Sequence, residues 1–550
     1  MRLSLLTSHF SRLTSAALLL VGLAACSPRE SNVSSGNRLG ILHRGIGQEL
    51  PSLDPHLATG TSEHHVLSAL FEGLVAEHPE DLHPVAGVAT RWDISADQLT
   101  YTFHLNPDAR WSNGDPVTAH DFVASIRRVL TPAFAAPNAA LLHILQGAKP
   151  YHLGASDDFA QVGVAAPDDH TLRLTLEHPA PYFLALLSHP AWYPVHLPSI
   201  ESHGDSTDRT NRWATPGNLV GNGPFALAAW KRNQRIIVEK NPAYWDAATV
   251  ALNAIHFYPI DSLDAEERAF RSGQLHLTEA LPPGRIDAYR RDRPEVLRID
   301  PYLGTYFLRI NTARPFLNQR DVRLALSLAI DRAAITDHIL RGGQIPAATI
   351  TPPGTAGYTP PADLAGHAHD PEAARAHLAT AGYANGQGAP QIELLYNTSE
   401  THRQIAEAVQ QMWSTELGLN VRLTNQELAA TLEARRSGNF EILRSVWIGD
   451  YADPATFLEL WTAGSTNNFT GWTHADYDRL LYRAARTTDS PERFALFREA
   501  EQLLLNDAPV IPLYHYTHVF LLHPSVQGWH PTLLDRHPYK HVRLQSDPAP

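Results

Sequence analysis

Trp447-Ile448-Gly449-Asp450-Tyr451-Ala452-Asp453-Pro454 sets an acidic residue inside an aromatic, apolar run. Two strand-like segments lead to it, and Pro454 then stops regular pairing. A buried carboxylate with no partner costs several kcal/mol or gives up its charge, so Asp450 must find a cation or hydrogen-bond donors. The protein could supply them, by making Asp450 a turn cap or pairing it with a nearby Arg. If it does not, a cationic ligand can.

The elements before this run must position it. Gln391 to Tyr396 reads as a short apolar strand. Glu400 to Leu417 carries Ile405, Val409, Met412 and Trp413 at helical spacing and stops at Gly418. Val421 to Leu423 is a short strand, Leu428 to Arg436 a helix ended by Gly438, and Glu441 to Trp447 a strand. This alternation requires crossover connections and hence an α/β lobe. Ligands of such sheets sit beyond the carboxyl ends of strands, where Trp447 to Asp450 falls. Upstream, Arg320 to Leu340 reads as one long amphipathic helix stopped by Gly342-Gly343. Residues 40–260 hold many short segments between turn signals such as Asn113-Gly114, and Leu99 to Leu105 and Thr171 to Leu176 alternate as strands do.

The chain has 550 residues, 43% hydrophobic and 18% charged, which is the composition of a folded protein of two or three lobes. A net charge of −13 argues against nucleic acid, whose phosphates need clustered Lys and Arg. The one cysteine, Cys26, excludes an intrachain disulfide. Arg2 and Arg12, the apolar Ala16 to Leu23, and Leu23-Ala24-Ala25-Cys26 together read as a signal peptide ending in a lipidation site. Ordinary cleavage near Ala25 beside an incidental Cys is the alternative. A lipidated Cys26 would anchor the chain to a membrane outside the cytoplasm. Cys26 to Arg38, rich in Ser, Asn, Pro and Gly, reads as a flexible tether. No later run is long and apolar enough for a transmembrane helix.

A series of short words now adds up. Ser52-Leu53-Asp54-Pro55-His56, Leu70-Phe71-Glu72-Gly73-Leu74, Trp111-Ser112-Asn113-Gly114, Gly221-Asn222-Gly223-Pro224-Phe225, Lys240-Asn241-Pro242-Ala243-Tyr244-Trp245, Ile330-Asp331-Arg332, Leu395-Tyr396-Asn397-Thr398-Ser399 and Asn425-Gln426-Glu427 precede the Trp447 to Pro454 run. Their order and spacing over roughly 500 residues resemble the extracellular solute-binding proteins of oligopeptide ABC transporters, family 5. The resemblance implies an α/β, two-lobed, periplasmic-binding-protein-like fold with an extra inserted subdomain and a hinge near Pro301 to Thr305 and Leu513 to His518. The expected divisions are 1–25 signal peptide, 26–38 tether, 39–71 and 196–303 first lobe, 72–195 inserted subdomain, 304–517 second lobe, and 518–550 return to the first lobe. It also implies a monomeric, lipid-anchored protein of the bacterial envelope that captures short peptides in the periplasm and delivers them to inner-membrane permease subunits, with no catalysis and no cofactor.

By the same resemblance Asp450 pairs with the α-ammonium of a peptide. Tyr451 and Trp447 line the pocket, although Trp447 could equally be core. Arg444 and Arg435 match positions that meet carboxylates, with solvated or internal ion pairs as the alternative. Asn397 and His402 lie near the ligand's C-terminal part, His189 matches a cleft histidine, and Tyr302, Tyr514 and Tyr516 close over the ligand at the hinge. The chain departs from some relatives at Thr59, where they carry an acidic residue, at Leu428 in place of Trp and at Asn138 in place of Tyr. Gly304 and Ile448 stand where some members have a disulfide. A cell-wall peptide or a non-peptide ligand such as a nickel chelate, haem or sugar therefore stays open, as does an envelope sensor.

The 30 histidines raise the question of metal. Glu63-His64-His65 and His367-Ala368-His369-Asp370 are the densest groups, and neither has the His-Glu-x-x-His spacing of a zinc hydrolase, so no metal site is expected. A Gly-x-Ser-x-Gly elbow, a phosphate-binding loop with Lys and a free Cys nucleophile are all missing, which leaves an envelope peptidase without a catalytic constellation.

Overall fold

A computed structural model describes residues 30–361 and 368–545. The signal peptide, Cys26 with its lipidation, and His367 lie outside the described residues. Among the described residues no helix is long and apolar enough to cross a membrane.

Three main sheets organise the chain. The first has the order Ile41–Gly45, Ala254–Tyr258, Arg235–Lys240, Phe225–Lys231; the first pair is parallel and the others antiparallel. Its core holds Leu42, Phe71, Trp213, Phe257 and Tyr539, so the C-terminal segment returns to this lobe. The second, wholly antiparallel, has the order Ala89–Ile94, Thr100–Leu105, Thr171–Thr175, Val164–Asp168. Thr100–Leu105 buries alternate residues, as the period-two pattern of its sequence demands.

The third sheet has six strands in the order Ile345–Pro346, Val510–Leu521, Leu297–Ile310, Ile442–Ile448, Ile392–Asn397, Val421–Gln426. Ile392–Asn397 pairs in parallel with both of its neighbours, so the strand–helix–strand alternation has the crossover topology its sequence implies. The Glu400–Leu417 helix is capped by the Ser399 side chain and ends at Gly418 in the left-handed conformation, with Ile405, Val409, Trp413 and Leu417 buried. Leu297–Ile310 and Val510–Leu521 are long antiparallel partners. Their register shifts between Pro301 and Thr305, and they carry the chain from the first lobe to the second.

Two expectations need correction. Residues 32–38 are not a tether: Asn32–Leu39 is a helix capped by the Ser31 side chain and closed by Gly40 at φ 68°. Val33, Gly36 and Asn37 are buried in it, and a Cβ at Gly36 would sit 2.7 Å from His276 and collide with the Ile41 carbonyl. Composition reads Ser, Asn and Gly as flexible, whereas here they cap a helix and permit close packing. Arg320 to Leu340 is not one helix either. Arg320–Leu328 ends, Asp331 accepts from the Ala334 N–H as a new N-cap, and Arg332–Ala334 leads into a wide π turn over Ile335–Leu340. Buried Arg332 donates to the Ser327 and Pro512 carbonyls at the break, an arrangement that apolar periodicity does not reveal.

Candidate functional site

The Ile442–Ile448 strand runs antiparallel to Leu297–Ile310, with Trp447 opposite Thr305 and Ile448 opposite Gly304. A Cβ at Gly304 would lie 2.5 Å from Ile448 Cδ1, so the isoleucine side chain fills the space over the glycine. Beyond the strand, the Gly449 N–H donates to the Leu303 carbonyl at 2.8 Å, and a Cβ at Gly449 would meet Leu303 Cδ2 at 2.5 Å. The Asp450 N–H donates to Thr456 Oγ1 at 3.2 Å. Asp453 caps the next turn by accepting from the Ala455 N–H and is gripped by both Arg493 guanidinium nitrogens at 2.7 Å. The capping and ion-pairing roles open to Asp450 thus fall to Asp453.

Arg536, from the C-terminal segment, reaches the other side of the loop. Its guanidinium pairs with Glu77 at 2.7 Å, donates to Ser188 Oγ at 2.9 Å, and donates to the main-chain carbonyl of Asp450 at 2.9 Å. It therefore ties the loop to residues 77 and 188 without touching the Asp450 carboxylate. Among the described residues no hydrogen bond or ion pair engages that carboxylate. Burial pushes its pKa up to about 6, against the pull of Arg536. Asp450 thus has its main chain held at both ends and its carboxylate without a direct partner among the described residues, with Arg536 acting on it only through space.

Asp450 faces a cavity of about 420 Å³, within the range of small-ligand sites. Trp447, Ile448 and Gly449 line it from the strand end, and Thr59, Gly60 and His64 from the start of the Thr61–Leu70 helix. Asn138, His189, Tyr302 and the Leu534 to Arg536 segment complete the wall. Asn138 donates to the Ala58 carbonyl at 2.8 Å and so holds the loop bearing Thr59. His189 accepts from the Ala191 N–H at 3.1 Å, and burial together with Arg536 brings its pKa down to about 3, so the ring is neutral. Trp447 is half-buried and donates from Nε1 to Thr456 Oγ1 at 3.3 Å, which joins the loop brace to the cavity wall.

The other expected site residues divide. Arg444, Asn397, His402 and Tyr516 form a second group: Arg444 donates to Asn397 Oδ1 at 3.0 Å and to Tyr516 Oη at 3.5 Å, and lies over the Tyr306 ring at 4.8 Å. His402 packs on Tyr306, and burial, assisted by Arg444, lowers its pKa to about 3. The buried Arg444 Nε and His402 Nδ1 have no hydrogen-bond partner, which leaves two polar atoms for an anionic or amide group. Tyr514, 3 % exposed, stacks on Tyr306 and belongs to the core. Arg435 lies 4.9 Å over Phe469, a ring it shares with Arg309, and is not among the cavity-lining residues. Tyr451 is buried and stacked on Tyr182 at 4.7 Å, outside the cavity wall; it joins the inserted region to the second lobe. Leu428 is 55 % exposed and is not among the cavity-lining residues.

Sequence reasoning missed Arg536 and Asp535. Neither lies on a periodic element, and the only local signal is a polar Asp-Arg-His triplet between Leu534 and Pro538. It also treated Glu63-His64-His65 as a cluster in its own right, whereas the fold sets His65 against Glu279 and Asp535, the one partly buried group among the described residues that could hold a metal.

The profile of bacterial extracellular solute-binding proteins, family 5 Middle, matches residues 83–469. The chain belongs to this family. It is 37% identical over 537 residues to the periplasmic oligopeptide-binding protein OppA of Salmonella typhimurium, covering 94% of this chain and 95% of that one. The structure of the Escherichia coli murein tripeptide binding protein MppA superposes with a TM-score of 0.81 at 36% identity, covering 92% of this chain and 98% of that one. Haemophilus influenzae OppA in complex with the peptide RPPGFSPFR superposes at 0.79 with 32% identity, covering 92% and 99%. The family and its neighbours carry the two-lobed fold and the oligopeptide-binding kinship read from the sequence.

Proposed function

We propose that this chain is the lipid-anchored capture component of an ABC peptide importer. It takes up short peptides between its lobes in the periplasm and hands them intact to permease subunits of the inner membrane. The observation that carries this reading is Asp450, whose main chain is held by Thr456 and Arg536, whose carboxylate has no direct partner among the described residues, and which lines a cavity of about 420 Å³. A peptide α-ammonium supplies the missing charge. The Ile448-Gly449 main chain and the edge of Trp447 offer generic contacts to an extended backbone, which give affinity without selecting side chains. The Arg444 group, with its two unpartnered nitrogens, suits the far end of such a ligand. Thr59 leaves the ammonium with one carboxylate instead of two, so it is held less tightly than in relatives with an acid there. The names of the relatives, oligopeptide- and murein-peptide-binding, agree with this assignment.

Binding lowers the energy of the closed arrangement relative to the open one, and the closed form docks on the permease. Cys26, if lipidated, keeps the body near that partner. Native mass spectrometry of the protein mixed with di- to pentapeptides tests the reading. One peptide per chain, unchanged after a day of incubation, is expected. Shortened peptides would mean an enzyme, and binding of a bile acid, sugar or metal chelate in place of every peptide would mean a non-peptide carrier.

A further inference from the structure

His65 lies on the Thr61–Leu70 helix, Glu279 follows the Leu277 bridge to the first sheet, and Asp535 lies in the C-terminal segment. His65 is 3 % exposed and its Nε2 has no hydrogen-bond partner. That nitrogen is 3.5 Å from Glu279 Oε2 and 3.6 Å from Asp535 Oδ2. Both separations are ion-pair distances, long for a well-formed hydrogen bond, and a single N–H can point at only one of the two carboxylates. Glu279 Oε2 is likewise buried without a hydrogen-bond partner, its ion-pair neighbours being His65 and Arg44. The nitrogen and the carboxylate oxygens thus face one another at ion-pair range without a well-formed hydrogen bond, a spacing that leaves room for an ion between them.

Metal bonds of about 2.0–2.1 Å at tetrahedral angles set donor atoms roughly 3.4 Å apart, close to the separations seen here. We propose that His65 Nε2, Glu279 Oε2 and Asp535 Oδ2 form a three-ligand site for a divalent transition-metal ion of the zinc class, with the fourth position open to the cleft. His65 and Asp535 line the same cavity as Asp450, so a ligand or water in the cleft reaches that position. The surrounding groups are arranged as outer support. His518 Nδ1 and His537 Nε2 lie 3.0 and 2.9 Å from Asp535 Oδ1, which orients the carboxylate and leaves Oδ2 toward His65. His518 Nε2 is 2.6 Å from the Glu279 main-chain carbonyl, and His537 is stacked on Trp529. Arg44 Nη2, 3.7 Å from Glu279 Oε2, competes for that oxygen; its Nη1 is engaged by Tyr539 and its face by Trp529. The other His–carboxylate group, His78, Asp81 and His83, is exposed and internally hydrogen-bonded, and has no unpartnered buried atom.

The test uses the full chain without an affinity tag, stripped by a chelator and titrated at pH 7 with Zn²⁺ alone, no peptide being present. One bound ion per chain is expected by equilibrium dialysis with elemental analysis. Affinity should fall at least tenfold in His65→Gln and in Glu279→Gln and stay unchanged in His83→Gln. Co²⁺ added to the unaltered chain should give the intense visible absorption of four-coordinate cobalt, a readout that does not depend on any variant folding. No bound ion, a pale six-coordinate cobalt spectrum, or loss of binding in His83→Gln with retention in His65→Gln would overturn the site. Peptide affinity measured on the chelated protein is independent of all three, so failure here leaves the peptide reading intact.

Discussion

Replacing Asp450 by Asn keeps the shape of the side chain and removes its charge. An ammonium about 3 Å from the carboxylate at an effective dielectric near 20 gains roughly 5 kcal/mol, and solvation lost by the incoming cation takes back part of it. The carboxylate has already lost solvation in the ligand-free protein. Its rise from 3.8 to about 6 corresponds to about 3 kcal/mol before screening on the open face of the site, and less after it. That cost is not charged again on binding, so Asp450→Asn should weaken a free-amine tripeptide by about 2–4 kcal/mol, some 30- to 1,000-fold by titration calorimetry. N-acetylation of the peptide should cost a similar amount in the unaltered protein and much less in the variant. The pH profile provides a third reading. Asp450 is ionised above about 6, and a peptide amine is protonated below about 8, so affinity should peak between pH 6 and 8 and fall up to tenfold per unit below 6. The acid limb should vanish in Asp450→Asn. Stability moves the other way. A carboxyl whose folded pKa lies above its unfolded value favours the fold at low pH and loses that contribution as pH rises through about 6, so the ligand-free variant should be the more stable protein at pH 7. Equal affinities in both proteins, equal cost of acetylation in both, or an acid limb that survives in the variant would refute the assignment.

Arg536→Met strands Glu77 and frees the Asp450 carbonyl, and should lower stability by about 3 kcal/mol in urea melts. Because Arg536 holds the Asp450 pKa down, the acid limb of peptide binding should also move to higher pH; an unmoved limb would mean that the two groups do not communicate. Arg493→Met leaves Asp453 buried without its bidentate partner and should cost about 3–5 kcal/mol in the same melts, whereas a loss below about 1 kcal/mol would show that the loop brace lies elsewhere.

Local chemistry determined a large part of this protein. Apolar spacing marks Glu400–Leu417, and Gly418 and Gly438 mark helix ends, because a left-handed terminus suits a residue without a Cβ. Alternation marks Thr100–Leu105, and the strand–helix–strand order implies parallel pairing. The burial of Asp450 was legible, since its aromatic and apolar surroundings are written in adjacent residues. Where capping and packing override composition or periodicity, local reading failed: Ser31 and Gly36 turn an apparent tether into a helix, and Asp331 divides an apparently continuous one. The tertiary structure alone decided which charges meet. Arg536 reaches Asp450 across 86 residues of sequence, Tyr451 turns to Tyr182 and away from the cavity, and His65 meets Glu279 and Asp535. Electrostatic energy depends on distance in space and on burial, and neither is a property of sequence neighbours. The residues that brace the cleft from the C-terminal segment therefore became visible only when the two long strands brought that segment back to the first lobe.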